Sequence, residues 1–405
     1  MRRHCLIFLG LLAIFMAGCS KVVEHVSLHG EEVRYEWMTD LSLPVPLIFD
    51  FETVSTKGTI NELADLADKD FAFFAVNKNA EDLTEEKDIA FPDNTKARSR
   101  KGEDGEICMD FVGPAGEQAS YYYPIETEDN YNFYAYHSTA LGTSTPPEPI
   151  MVDGKSILVD VPVAVFDDIL WGAAEAQVYT DENSGVRYDG FNSRYIRKVG
   201  VNPSIEFQHP ASCLSFQITR TDSTVPSLRI LSVDVSMVDI PTKATLCVLD
   251  KAEEGESHSG NFINSKEPKT VHVGKIGEAF LNRPSQALPD FFIAPQSEPI
   301  TLKLEFKVVD GKPAVKDPEN PGEYLPETPE IMSVTYEIDP TQIEEIENDC
   351  FERGKRYTCN LILHSPVNID IQVDVERYLD AYNSQTQMEY DPNDFGLDEI
   401  PGGNF

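Results

Sequence analysis

Apolar and polar residues alternate along most of this chain. Leu302, Leu304, Phe306 and Val308 are separated by Lys303, Glu305 and Lys307, and Val367, Ile369, Ile371 and Val373 by Asn368, Asp370 and Gln372. Met332, Val334, Tyr336 and Ile338 repeat the pattern. Ile205 with Phe207, then Leu214, Phe216 and Ile218, form two more runs broken at His209-Pro210. A period of two places each apolar set on one face of a strand, and that face has to be covered by a second layer. In the first half Leu47, Phe49 and Phe51 alternate, and 71–76 is the denser run expected of a central strand. Residues 107–112, 119–123 and 131–136 are further strands. Helical spacing is scarce: 60–69, where Leu63, Leu66 and Ala67 share a face, and 343–350 are the candidates. Turn residues fall between the runs, with 27 Pro and 24 Gly in all. The pattern predicts an all-β protein built as two sandwiches rather than one large sheet.

The organisation follows from where this pattern lapses. Residues 172–200 are polar and rich in turn formers, and alternation resumes after them, so one sandwich is expected over 45–180 and a second over 195–377. Residues 19–44 read as a linker. Residues 378–405 are acidic and rich in Asn, Pro and Gly, and are expected to be a flexible tail.

The amino terminus changes the picture. Arg2 and Arg3 precede an uncharged run from Cys5 to Ala17, closed by Gly18 and Cys19. A basic start, an apolar stretch and small residues at the end make a secretory signal. The run is too short for a permanent transmembrane helix, which takes roughly 20 apolar residues. Met16-Ala17-Gly18-Cys19 resembles a bacterial lipobox, which implies cleavage after residue 18 and acylation of Cys19. A multiply acylated chain is held firmly at a membrane.

Charge and cysteine content narrow the partners. The formal charge of the 405 residues is −36, which argues against nucleic acid and against anionic headgroups. Of seven cysteines, Cys5 leaves with the signal and Cys19 takes lipid. Cys108, Cys213, Cys247, Cys350 and Cys359 remain, an odd number without framework spacing. Cys350 and Cys359 flank a turn and are open to a local bridge; buried thiols are the other reading.

The search for chemistry returns little. No GxSxG, GxGxxG, P-loop or HExxH string occurs, and the eight His are scattered. His209 reads as a hydrogen-bonded turn residue. Asp181-Glu182-Asn183-Ser184-Gly185 begins like a calcium loop but lacks its spacing and final Glu, so a plain turn is expected. Asp167 and Asp168 are neighbours whose side chains would point to opposite faces of a strand, not toward one substrate. No catalytic residue, metal or cofactor is expected, and the chain does not read as an enzyme.

Several segments in order carry a resemblance. These are Leu47-Ile48-Phe49-Asp50-Phe51, Thr56-Lys57-Gly58-Thr59-Ile60, the run 71–76, Tyr131-Asn132-Phe133-Tyr134-Ala135-Tyr136 and Asp168-Ile169-Leu170-Trp171-Gly172. Ile205-Glu206-Phe207-Gln208-His209-Pro210-Ala211-Ser212-Cys213-Leu214-Ser215-Phe216 and Gly354-Lys355-Arg356-Tyr357-Thr358-Cys359-Asn360-Leu361 follow. Over roughly residues 45–377, together with the lipobox, the chain resembles the fimbrillin-like family of type V pilins and surface adhesins of Bacteroidales-type bacteria. The resemblance implies two transthyretin-like, Greek-key sandwiches, export as an outer-membrane lipoprotein, and a role as a fimbrial structural or adhesive subunit. It also implies a cut after a basic residue beyond the first strand and replacement of that strand by one from another subunit. Lys57 stands where the cut basic residue usually stands, followed here by Gly58 instead of the usual Ala; Arg34 is the alternative and lies before the first strong strand. The implied partners are other fimbrial subunits joined head to tail, or a surface ligand. The donated strand is either the tail, with Phe395, Leu397 and Ile400, or a core strand such as 367–375. The alternative function is a surface glycan-binding lipoprotein that does not polymerise, using Tyr121, Tyr122, Tyr123 or Trp37.

Overall fold

The computed structural model of the chain describes residues 36–52, 66–83, 95–101, 107–113, 116–124, 129–176, 178–220, 228–251, 258–277, 285–310, 319, 328–343, 346, 348–365 and 368–377. Within them the protein is all-β, as the alternation predicts. Three sheets carry the architecture. An eight-stranded sheet has the order Asp50–Glu52, Ser204–Gln208, Leu170–Ala174, Tyr131–His137, Asp70–Asn77, Thr95–Lys101, Ile107–Val112 and Gln118–Ala119. A six-stranded sheet is centred on Leu228–Asp250, and a five-stranded sheet contains Ser212–Arg220, Lys355–Ser365 and Asn368–Arg377.

One long strand runs through both sandwiches. Leu228–Asp250 is 23 residues long. Its first half pairs with Ile300–Asp310, through Val233↔Phe306 and Val235↔Leu304. Its second half pairs with Ser156–Pro162, through Leu246↔Val159. Phe262–Gly277 runs along its other edge. Between the halves the register shifts from Met237 to Ile240, and Asp239 sits at φ 55°, the left-handed region in which Asp is among the more tolerant residues. The extra residues there form a bulge, which bends a strand and increases its twist. Each half thus faces a different partner sheet.

In the second sandwich Leu302, Leu304, Phe306 and Val308 are all buried, against Leu214, Phe216, Ile218, Tyr357, Leu361 and Leu363. This is the face the alternation predicts. In the first sandwich Val159, Val161, Leu246 and Val248 cover one face of the eight-stranded sheet, meeting Phe74, Tyr134, Tyr136 and Trp171. The opposite face, with Phe71, Phe73, Phe133, Ile205 and Phe207, is buried too. Strands Asp70–Asn77 and Tyr131–His137 are therefore covered on both sides, which explains why their sequences do not alternate.

Chain order and sheet membership interleave around the crossover. Ile150–Val152 and Ser156–Pro162 lie in the six-stranded sheet, whereas Ser204–Gln208 lies in the eight-stranded one. Polar contacts fix the crossing. Asp168 Oδ2 lies 2.8 Å from His209 Nδ1, both side chains being fully enclosed. Trp171 Nε1 donates to the Val248 carbonyl at 2.9 Å. A Cβ on Gly260, at φ +76°, would come within 2.5 Å of the Trp171 ring, so that turn is reserved for glycine.

Of the two helical candidates, 60–69 is described only from residue 66, where the chain turns without forming an α-helix, and the described part of 343–350 has no α-helix; a single 3₁₀ turn precedes it at Pro340–Gln342. The helix that the polar stretch conceals is Ser193–Val199. Asn192 caps it by accepting from Tyr195 N at 2.7 Å, and Gly200 ends it at φ 73°.

Candidate assembly site

The amino-terminal segment 36–52 is attached to the outer face of the eight-stranded sheet in a way that sets it apart from the rest of the fold. Val45 and Pro46 pair with Tyr123 and Tyr122. Leu47 N donates to the Tyr121 carbonyl at 2.9 Å. Asp50–Glu52 then runs parallel to Ser204–Glu206 at the sheet edge. Its backbone pairing is short and interrupted; side-chain burial does most of the holding. Val45, Leu47 and Phe49 are buried in the core on that face. Phe49 occupies an aromatic socket, with ring centroids 4.9 Å from Phe133, 5.1 Å from Phe73 and 5.9 Å from Phe111. Edge-to-face packing of this kind adds about 0.5–1.5 kcal/mol per pair beyond area burial.

The start of this strap is held by a side chain that periodicity does not reveal. Arg197, on helix Ser193–Val199, donates from Nη1 to the Asp40 carbonyl at 2.7 Å and from Nη2 to the Leu43 carbonyl. Asp40 closes the turn by accepting from Ser42 N at 2.9 Å and Ser42 Oγ at 2.6 Å, and those bonds hold its carboxyl below the ordinary value. Tyr195 and Ile196 on the same helix join the core under the strap. The sequence signal for this device was the Asn192 cap and the Gly200 stop enclosing an apolar pair one turn apart, Ile196 and Val199.

No protein-family model and no curated protein matches the chain. Similar solved structures include a candidate cell adhesion protein of Bacteroides uniformis, at 14% identity and a TM-score of 0.44, covering 83% of this chain and 98% of that one. The fimbrial anchor protein Mfa2 of Porphyromonas gingivalis is similar at 10% identity and 0.30, covering 82% and 98%. The tip fimbrial protein Mfa3 of the same organism is similar at 10% identity and 0.31, covering 82% and 99%.

Cys19, Arg34, Lys57, the signal and the tail 378–405 lie outside the described residues. The strand 47–54 is described to Glu52: Leu47 and Phe49 are in the core, and Phe51 pairs by its backbone with Ile205. Of the two donor candidates, the strand at 367–375 is seen as Asn368–Arg377, the edge of the five-stranded sheet. Among the described residues it pairs only with Lys355–Ser365, with Ile369 buried and Ile371, Val373 and Val375 packed on the core. The tyrosines serve packing: Tyr123 is buried, Tyr121 stacks edge-on to Phe111 at 5.0 Å, and Trp37 lies against the core, which leaves Tyr122 exposed.

Asp167 and Asp168 lie in the bend before Leu170–Ala174 and not within a strand, and each meets a different histidine. Asp168 faces His209, while Asp167 lies 3.0 Å from Lys69 Nζ and 3.7 Å from His137 Nε2. Burial works against the Asp167 charge, but the nearby His137 and the Lys69 ammonium, which donates to Oδ1 at 3.0 Å, outweigh it and hold the carboxyl well below the usual range. Asp181 is a turn residue: it accepts from Asn183 N and Ser184 Oγ and pairs with Lys198 at 3.0 Å. Its carboxyl is drawn down to about 2 by the Ser184 and Asn183 bonds first and by Lys198 after them. Cys213, Cys247, Cys350 and Cys359 form no disulfide, and burial pushes Cys359 up to about 12, which removes its reactivity as a thiolate. Among the described residues, no group of three or more His, Cys, Asp or Glu could hold a metal ion, and no helix is long and apolar enough to cross a membrane.

Proposed function

We propose that the chain is a structural or adhesive subunit of a fimbrium, exported as a lipoprotein on Cys19 and assembled by exchange of its amino-terminal strap for a strand of another subunit. The observation that carries this is the strap itself. It fills an aromatic socket with Phe49 yet is tied to the sheet by few backbone bonds, so the groove beneath it suits an incoming segment with the same alternation. Loss of the strap would uncover Phe73, Phe111 and Phe133 together with the free backbone groups of Ser204–Glu206. An added strand satisfies both needs at once, through main-chain pairing and alternate side-chain pockets. Donation from one copy to the next is heterologous and does not close on itself, so it builds a filament. The sequence resemblance to fimbrillin-like proteins supports the same reading, in which the chain is not an enzyme.

A cut after Lys57 lies beyond the strap and severs it from the sandwich, whereas a cut after Arg34 leaves it covalently attached. Only the first releases the groove. The test is to sequence the amino terminus of mature protein from cells and to run it unboiled on denaturing gels. The expected outcome is a start at Gly58 with ladders of polymer, both lost in Lys57→Ala, which stays a full-length lipidated monomer. Ladders from Lys57→Ala protein that still begins at Cys19 overturn the processing step.

A further inference from the structure

Where strand Leu170–Ala174 lies beside Ser204–Gln208, alternate side chains build a platform. Trp171 is paired across the strands with Gln208, and Ala173 with Glu206; with a period of two these four share one face. Trp171 packs under the six-stranded sheet and is 8% exposed, Ala173 is half-buried, and Glu206 is exposed. The cover thus ends over this pair, and a cleft of about 670 Å³ opens there. Its walls are apolar. Val178 and Val201 are 54% and 52% exposed, with Tyr179 and Val199 half-buried among the same lining residues. A lone exposed valine needs no explanation, but apolar side chains gathered around one cleft mark an interaction site.

The charges in the lining are of one sign. Glu175 and Glu206 line the cleft with no Lys, Arg or His among the residues around them. Both are exposed. Glu175 Oε1 accepts from the Tyr134 hydroxyl at 3.3 Å, and Glu206 forms no ion pair among the described residues. Arg353 stands at the Gln208 end, where it donates from Nη2 to Gln208 Oε1 at 2.8 Å and from Nη1 to Asn261 Oδ1. Other acids on the surfaces of these sheets are paired: Asp70 with Arg98, Asp110 with Arg100 and Asp160 with Lys266.

This combination selects the ligand. A wholly apolar group would cover the two carboxylates, and a bare metal ion would leave the valines in water. A cation on an apolar stem satisfies both parts. Arginine suits it best: its methylenes lie along apolar surface, its planar guanidinium is attracted to aromatic faces, and its fork of N–H donors matches a carboxylate. The volume falls within the range of about 300–1,000 Å³ usual for small-ligand sites. We propose that this cleft binds an arginine side chain presented by a partner protein, with Glu206 receiving the guanidinium and Val178 and Val201 its stem. The platform is on the face of the sheet opposite the Phe49 socket, and the site stands independently of strap exchange.

The experiment is saturation-transfer NMR on the full mature chain with N-acetylarginine amide and with its citrulline counterpart, which has the same shape and no charge. Transfer to the arginine probe is expected, with affinity roughly tenfold above that for citrulline. Glu206→Gln should lower the arginine affinity roughly tenfold, as loss of a charge-assisted hydrogen bond implies. Glu206 is exposed, so this variant keeps the fold. Glu330→Gln, at an exposed position on strand Glu330–Ile338 of the second sandwich, should leave binding unchanged and so separates the site from the general attraction of an acidic protein for cations. No transfer to the arginine probe, equal transfer to citrulline, or equal weakening by Glu206→Gln and Glu330→Gln overturns the proposal.

Discussion

Replacing Phe49 by Ala tests whether the strap is a separate unit of stability. Phe49 is 5% exposed and meets Phe73, Phe111 and Phe133 at centroid distances of 5.1, 5.9 and 4.9 Å. Truncating a buried Phe to Ala costs about 3–5 kcal/mol, from lost transfer free energy and the cavity left behind. Little can collapse into this cavity, because its walls are rings fixed on the strands of a sheet packed on both faces. At about 1.4 kcal/mol per factor of ten, the docked-to-undocked ratio falls roughly a hundred- to several-thousand-fold. The amide of Leu47, bonded to the Tyr121 carbonyl, reports on docking directly. Native-state hydrogen exchange should show it accelerating by that factor, while amides of Ile300–Asp310 in the second sandwich keep their parent rates. Uniform acceleration across both sandwiches would mean that the strap is part of one cooperative core and is not poised for exchange. Unchanged exchange at Leu47 would mean that Phe49 does not hold the strap.

Three other outcomes follow from the same reading. Cys19→Ala should move the protein from the membrane fraction to the soluble one and abolish incorporation of labelled palmitate; retention without label in the parent contradicts the lipid anchor. Leu304→Asp places a carboxylate at a fully buried position between two sheets and should lower stability by several kcal/mol; a melting temperature within a degree or two of the parent contradicts the assigned face. Asp167→Asn should lower the melting temperature at neutral pH. The folded carboxyl sits below its unfolded value, so its contribution is present above the unfolded pKa of about 3.9 and fades as pH falls below it. The gap between parent and variant should therefore narrow on acidification, and a gap independent of pH would show that the Lys69 and His137 contacts do not set it.

The readability of this chain varied with the kind of burial. Leu302, Leu304, Phe306 and Val308 alternate because one face of their strand meets a core and the other meets solvent. Asp70–Asn77 hides its face preference because both faces are covered, and its density alone marked it as central. Helix Ser193–Val199 went unread because seven residues span barely two turns, too few for a period of 3.6 to stand out, although its two caps were present. The Arg197 clasp joins carbonyls more than 150 positions away in the chain, and no local spacing encodes such a contact.

By itself the sequence determined the all-β class, the buried faces of the regular strands and the apolar spacing of the strap. These are local properties, set by a two-residue period and by short motifs. Only the tertiary structure decided which strands share a sheet. Leu228–Asp250 is one continuous strand, yet the bulge at Asp239 turns its two halves toward different partner sheets. Strand pairing is chosen by packing between segments far apart in the chain, and the physical reason it escapes the sequence is that any apolar face of the right width can cover any other. Topology, and the pairing of Asp168 with His209 across the crossover, selects among them.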